Sequence, residues 1–340
     1  MRGALATTAR EYGLRIAILV AVIVTFLVIS KSFAGPSSVY AVLESFAFVG
    51  IVALGLSVTM IAGELDLSVA STAALMGVIA IEVAQFGLVV AIVVAVAGGA
   101  LLGALQGWLI ARLGINSLVF TAGSLIAIRG FAYIASNNTP VVLTDFAISD
   151  PLHTRFATFF SPSSVIAIIA FVVVGLFLAF TRPGRHIYAI GGARTEAIAA
   201  GVPVTSSMTL AFSISGATAG LAGAIACLKG GSAAPEGFPD LLLLAVGAAL
   251  IGGIGLYGGV GTIWHVVIGV AITGTLTAGM ATLAAPSYLS NLVLGVLLVL
   301  LLVADFFIAK AVRRRRLSRL REIVATDGEV PAEALVTTGR

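Results

Sequence analysis

The feature that most constrains this chain is a recurring apolar stretch of about 20 residues, nearly free of charge. As a helix rising 1.5 Å per residue, each stretch reaches about 30 Å, the thickness of a bilayer's hydrocarbon core. Ten such spans can be placed, near residues 16–31, 43–62, 67–86, 88–111, 116–135, 163–181, 207–228, 240–256, 261–284 and 289–309. Those at 67–86 and 116–135 carry polar residues and are the candidates for broken or re-entrant segments. Composition agrees, with 59% hydrophobic and 10% charged residues, where a soluble domain carries about 25% charged. Lipid cannot satisfy backbone N–H and C=O groups, so only helices and closed barrels cross it. No sustained alternation suggests a barrel. The expected fold is therefore an all-α polytopic membrane protein. The run at 16–31 reads as its first span, without the cleavage pattern of a removable signal.

Charge orients the spans. With the N-terminus inside and ten alternating spans, the cytoplasmic side holds Arg2, Arg10, Arg15, Arg112, Arg182, Arg185, Arg194, Lys310, Arg313 to Arg316, Arg319, Arg321 and Arg340. The outside holds only Lys31, Arg155 and Lys229, and Arg129 falls within a span. By the positive-inside rule both termini are cytoplasmic. The net charge of +4 is this bias and not a nucleic-acid footprint; Arg313–Arg316 pins the last helix to anionic lipid headgroups. The chain then divides into a cytoplasmic N-terminus at 1–15, a transmembrane domain at 16–309 and a basic, disordered cytoplasmic tail at 310–340. Within the membrane domain, 137–162 is the longest outside loop and 182–206 the largest internal cytoplasmic loop. Ten spans permit a five-plus-five inverted repeat of the kind transporters use.

Several chemistries are excluded. The single cysteine, Cys227, allows no intrachain disulfide, and His153, His186 and His265 lack metal-ligand spacing. No G-x-x-x-x-G-K-[ST] loop, metalloprotease motif or nucleophile elbow occurs. The run Gly253–Gly258 matches G-x-G-x-x-G in form, but it joins two apolar spans and reads as a turn. Gly99, Gly103 and Gly107, like Gly216 and Gly220, are spaced to let helix backbones approach closely.

Embedded polar residues are expensive in lipid and face the bundle interior or a water-filled path. Glu44, Glu64, Glu82 and Asp305 are explained equally well by interfacial positions. Asp66 and Arg129 are harder to dismiss. Asp66 follows a glycine break in Gly63–Ser68, which resembles a capped helix start, and Arg129 lies deep in an apolar span. In the cytoplasmic loop, a Gly191-Gly192 break precedes a helix-like run at 195–200 ended by Gly201, which would present Glu196 to a cytosolic partner.

Together these motifs resemble the permeases of bacterial ABC importers for simple sugars, of the ribose/xylose/galactose type. Gly63–Ser71 (GELDLSVAS) is similar to that family's G-G-x-D-L-S-V-G-S motif. Val119–Gly130 is similar to its F-x-x-T-L-G-x-x-x-x-x-R-G stretch, and Asn138–Val142 to the G-x-P-I/V element that follows. Gly184–Val202 resembles its G-R-x-I-Y-A-I-G-G-N loop, followed by Ser215–Gly223, and Ile251–Thr262 its paired-glycine motif. Glu64, Ala70, Ala193, Arg194 and Trp264-His265 depart from the pattern. The resemblance implies a multi-pass protein of the bacterial inner membrane, paired with a second permease copy, probed outside by a sugar-binding protein and driven by a separate ABC ATPase. ATP and Mg would be bound by that ATPase, with no cofactor and no enzyme activity in this chain. It further implies an ATPase-coupling loop carrying Arg185, Gly191, Gly192, Glu196, Ala197 and Gly201, and places Asp66, Ser68, Asn116, Thr121 and Arg129 near the translocation pathway. Competing readings are a branched-chain amino acid ABC permease, a stand-alone ion-coupled transporter and a structural scaffold.

Overall fold

The computed structural model describes residues 2–301 and 303, with side chains from residue 12 onward. The expected tail at 310–340, and Asp305 with it, lie outside the described residues. The chain divides into two compact units, Met1–Asn291 and Leu292–Arg340; in the second, the described residues are the end of an apolar helix, Ser287–Leu301.

The described residues are almost entirely helical. In chain order the first unit holds α1 (Arg2–Ile29), α2 (Pro36–Ser45) and α3 (Ile51–Ile61), then α4 (Val69–Val83), α5 (Leu88–Leu113) and α6 (Ser117–Ala135). After these come α7 (Asp150–His153), α8 (Pro162–Phe180), α9 (Arg182–Gly192), α10 (Arg194–Ala199), α11 (Val204–Gly230), α12 (Leu241–Gly252) and α13 (Ile263–Thr282). A π-helical turn, Phe46–Gly50, joins α2 to α3, so Pro36–Ile61 is one continuous rod. Among the described residues eight helices are long and apolar enough to span a membrane, and Leu241–Gly252 and Ser287–Leu301 are shorter apolar ones.

Three expectations need correction. The spans at 67–86 and 116–135 are not broken: their polar residues are accommodated by packing, and α4 and α6 run uninterrupted. The span near 240–256 is a helix of only 12 residues, about 18 Å long. The segment 182–206 is not a loop with one short helix. Proline at its first turn, with Thr181 accepting from the Gly184 N–H, starts α9 at once, and α11 begins at Val204.

The core sits where α11 crosses α3, α4 and α5. Glycine makes this possible: a Cβ on Gly99 would strike the carbonyl of Gly216, and one on Gly216 the carbonyl of Gly99. Gly103 meets the Phe212 carbonyl in the same way, and Gly220 that of Ala95. With no hydrophobic effect between helices in lipid, such close backbone approach supplies the association energy through van der Waals contact. Cys227 lies buried in this seam as a free thiol, against Gly77.

Candidate functional site

The polar groups gather in three places. The first is the turn between α3 and α4. α3 ends in a Schellman motif: Gly63 has φ of +79°, its N–H reaches the Met60 carbonyl at 2.9 Å, and the Glu64 N–H reaches Thr59 at 2.9 Å. α4 then starts with Asp66 as the group that takes up its leading donors. Asp66 takes both the Ser68 N–H (3.0 Å) and the Ser68 hydroxyl (2.6 Å) on one oxygen, and the Ser215 hydroxyl of α11 (2.8 Å) on the other. Gln106 of α5 donates to Ser68 at 3.0 Å. Burial pushes the Asp66 carboxyl above its ordinary range, and the hydrogen bonds from Ser68 and Ser215 pull it partly back.

The start of α6 stitches onto the same turn. Thr121 accepts from the Leu67 N–H (3.1 Å) and donates towards the Leu65 carbonyl (3.2 Å) and to the Ser117 carbonyl (2.8 Å). Asn116 is an exposed N-cap, accepting from Leu118 and Val119 N–H groups. Asp66, Ser68 and Thr121 are thus brought together, buried and hydrogen-bonded to protein, while Asn116 serves its own helix.

The second place is a junction of three backbones at the same end of the molecule. The Gly259 N–H donates to the Ile61 carbonyl at 2.8 Å. A Cβ on Gly191 would collide with that Ile61 carbonyl, and one on Gly258 would lie 2.6 Å from the Gly63 Cα. The sequence Gly253–Gly258 is therefore a turn wedged between α9 and the Gly63 turn, with positive φ at Gly258 and Gly259. Tyr188 of α9 donates to the Gly261 carbonyl at 2.8 Å. Across the junction Arg194 pairs with Glu64 at 2.7 Å. Both residues are departures from the sugar-permease pattern, and they meet each other; no sequence spacing links positions 130 residues apart. On α9 Ile187 and Ile190 are buried while Arg182 and Arg185 are exposed; on α10 Ala197 is buried and Glu196, with Ile198, is exposed. Gly201, at φ of +77°, ends α10. Ile198 escaped the sequence reading, since one isoleucine in a six-residue helix has no periodicity to report.

The third lies at the other end of the Pro36–Ile61 rod. Lys229 pairs with Glu44 at 2.6 Å and donates to the Tyr40 hydroxyl at 3.1 Å. Ser161, at the start of α8, donates to the second Glu44 oxygen, and the Arg155 guanidinium sits 3.8 Å above the Tyr40 ring. Glu44 and Glu64 are separated by about 30 Å of helix, so the two ion pairs mark opposite ends. Glu82 is exposed at the end of α4.

Two cavities matter. The larger, about 1050 Å³, is bounded by α8, α13 and the π turn, and its walls are mainly aliphatic and aromatic. Such a surface suits lipid, because a hydroxylated solute would lose its water hydrogen bonds there. The smaller, about 160 Å³, is lined by Ala70, Ser71 and Ala74 of α4, Arg129 of α6, and Pro235, Glu236, Phe238 and Pro239 of the connection before α12. Among the described residues no cluster of His, Cys, Asp and Glu could hold a metal ion.

Residues 38–302 match the family described as the permease component of the branched-chain amino acid transport system. The chain belongs to this permease family. It is 33% identical over 275 residues to the L-arabinose ABC transporter permease AraH of Azospirillum brasilense, covering 80% of this chain and 81% of that one. It is 29% identical to the ribose import permease RbsC of Escherichia coli K12 (85% and 90% covered) and 30% to its D-allose permease AlsC (76% and 80%). No solved structure matches. The chain is accordingly a multi-pass protein of the bacterial cytoplasmic membrane, a transport subunit and not an enzyme. A permease of an ABC importer works with a separate ATPase and a binding protein.

Proposed function

We propose that this chain forms the membrane pathway of an ABC importer for a simple sugar, delivered outside by a binding protein and driven by a cytosolic ATPase. The observation that carries the reading is the compact α9–α10 segment, anchored by glycine contacts and the Glu64–Arg194 pair, together with 29–33% identity to permeases named for arabinose, ribose and allose. The family description names branched-chain amino acids, but the relatives named for sugars favour a sugar.

In this reading the end bearing Glu64 and Arg194 faces the cytosol, as do both termini, and the end bearing Glu44 and Lys229 faces outward. The domain limits follow: a short cytoplasmic N-terminus, a membrane domain, and a cytoplasmic tail. Glu196 and Ile198 present a charged and an apolar contact to the ATPase, while Arg185, Gly191, Gly192, Ala197 and Gly201 shape and seat the segment. ATP-driven closure of the ATPases moves α9 and α10 as a rigid piece, and the packed glycine junction passes that motion to the Gly63 turn and the α12–α13 turn. Asp66, Ser68 and Thr121 brace that turn, so its displacement carries α4, α6 and α11 with it. Two permease copies, each with its own α9–α10 segment, match a pair of ATPases.

The test is purification of the tagged chain from its native membrane after crosslinking, followed by mass spectrometry and uptake assays in liposomes. Recovery of an ABC ATPase and ATP-dependent uptake of L-arabinose, D-ribose or D-allose supports the reading. Uptake of L-leucine with none of these sugars would overturn it.

A further inference from the structure

The wall of the smaller cavity holds a buried hydroxyl that has no protein partner. Ser71 is 3% exposed, lines the cavity, and its hydroxyl has no hydrogen-bond partner. Buried hydroxyls are normally satisfied, so an unpaired one in a cavity wall points to a ligand or water. Arg129 lines the same space and makes no ion pair among the described residues, although a lone guanidinium inside a membrane bundle is costly. Glu236 supplies acceptors at its rim. Phe238, packed on Phe48 with ring centroids 5.0 Å apart, supplies an apolar wall.

The backbone around this cavity is also unusual. α12 covers only about 18 Å of a roughly 30 Å core. The connection before it, 231–240, contains no helix, and its Phe238 packs on Phe48, midway along the Pro36–Ile61 rod. Irregular backbone at membrane depth is tolerated only where it is buried in protein or lines a water-filled cavity, and transporter sites favour such interrupted segments. Arg129 lies eight residues beyond Thr121, hence about 12 Å along α6 from the braced turn and towards the middle of the bundle.

We propose that Ser71, Arg129, Glu236 and Phe238 form a subsite for a neutral polyhydroxylated solute, a pentose or hexose, midway along the pathway. The chemistry fits that class. The site offers donors (Arg129), an acceptor (Glu236) and a two-way hydroxyl (Ser71) to vicinal hydroxyl groups, and the Phe238 ring can cover the apolar C–H face of the sugar. Its volume of about 160 Å³ equals the share of roughly five water molecules, which is on the scale of one small sugar.

The proposal rests on the sugar-importer reading, and the experiment separates the two. The complete importer is reconstituted in liposomes, and uptake of labelled L-arabinose, D-ribose and D-allose is measured beside binding-protein-stimulated ATP hydrolysis. Ser71→Leu, which fills the cavity, should cut uptake at least tenfold while stimulated hydrolysis stays within twofold. Glu236→Gln, on the connection and outside any helix, should raise KM or change the order of preference among the three sugars. Arg129→Lys should retain more uptake than Arg129→Ala. Unchanged KM and kcat for transport in both Ser71→Leu and Glu236→Gln would overturn the subsite while leaving the importer intact. A wild-type assembly that moves L-leucine and no sugar would overturn the parent reading and the sugar subsite with it.

Discussion

Replacing Asp66 by alanine should destabilise the protein more than it impairs the transport step of the molecules that remain folded. The carboxylate receives three donors, the Ser68 N–H, the Ser68 hydroxyl and the Ser215 hydroxyl. Alanine strands all three. The Ser68 N–H is fixed at the start of α4 and has nowhere to turn, and an unsatisfied buried donor costs about 1–3 kcal/mol. The Ser215 hydroxyl can rotate to a backbone carbonyl one turn back in α11, and the Ser68 hydroxyl keeps its bond from Gln106, so together they add about 1 kcal/mol. Removing a buried carboxyl returns part of this, since burial disfavours its charged form. A net loss of about 2–3 kcal/mol results. Asp66→Asn keeps an oxygen for Ser68 and turns its amide towards Ser215, which can accept, so it should cost less than about 1 kcal/mol. The assay is the fraction of detergent-purified protein that stays monodisperse after heating, paired with sugar uptake per folded transporter. We expect wild type and Asp66→Asn to melt close together, with Asp66→Ala several degrees lower. If Asp66→Asn melts like wild type yet abolishes uptake, the bracing argument is wrong and Asp66 acts on the solute directly.

Other perturbations probe the remaining contacts. Arg194→Glu should weaken the coupling between ATP hydrolysis and uptake, and the added Glu64→Arg should restore part of it. Because Arg194 is 44% exposed, a double-mutant cycle on stability should give only about 0.5–1 kcal/mol; no recovery in the double variant would argue that the pair has no role. Glu196→Lys should reduce copurification of the ATPase without lowering membrane insertion, measured by pull-down against membrane abundance. Unchanged ATPase recovery would sink the coupling assignment. Gly103→Leu should prevent α5 and α11 from closing and leave little folded protein, whereas Gly123→Leu, where a Cβ meets nothing within 4 Å, should accumulate normally. Equal yields from the two would contradict the seam described above. A cysteine placed at Arg155 should react with an impermeant thiol reagent from outside, and one placed at Glu196 should not; the reverse pattern would invert the assigned topology.

Much of the fold was legible without coordinates. Apolar runs of bilayer length fix the class and the approximate places of the helices, because lipid leaves the backbone no alternative to internal hydrogen bonds. Gly63, Gly201 and Gly253 mark turns because positive φ is a local property of one residue. The glycine stripes of α5 and α11 announce close packing for the same local reason. Where the reading failed, the cause was also physical. Twelve apolar residues of α12 blend with their neighbours in any hydropathy window, so a half-length helix reads as a full span. α9 lacks the apolar content of a span, and its Pro183 and paired glycines read as loop, although proline at a first turn and buried Ile187 and Ile190 suffice for a helix packed on the bundle.

What the sequence alone determined is therefore everything set by neighbours along the chain: membrane class, span count to within the short helices, turn positions and the segment proposed to meet the ATPase. Tertiary structure alone decided which polar groups face one another. Asp66 meets Ser215 across 149 residues, Glu64 meets Arg194 across 130, and Lys229 meets Glu44 across 185. Ser71 looks like any small helical residue until the connection before α12 brings Glu236 and Phe238 beside it. Such pairings depend on how helices cross and rotate about their axes, which is settled by the sum of all their contacts and is written at no single position.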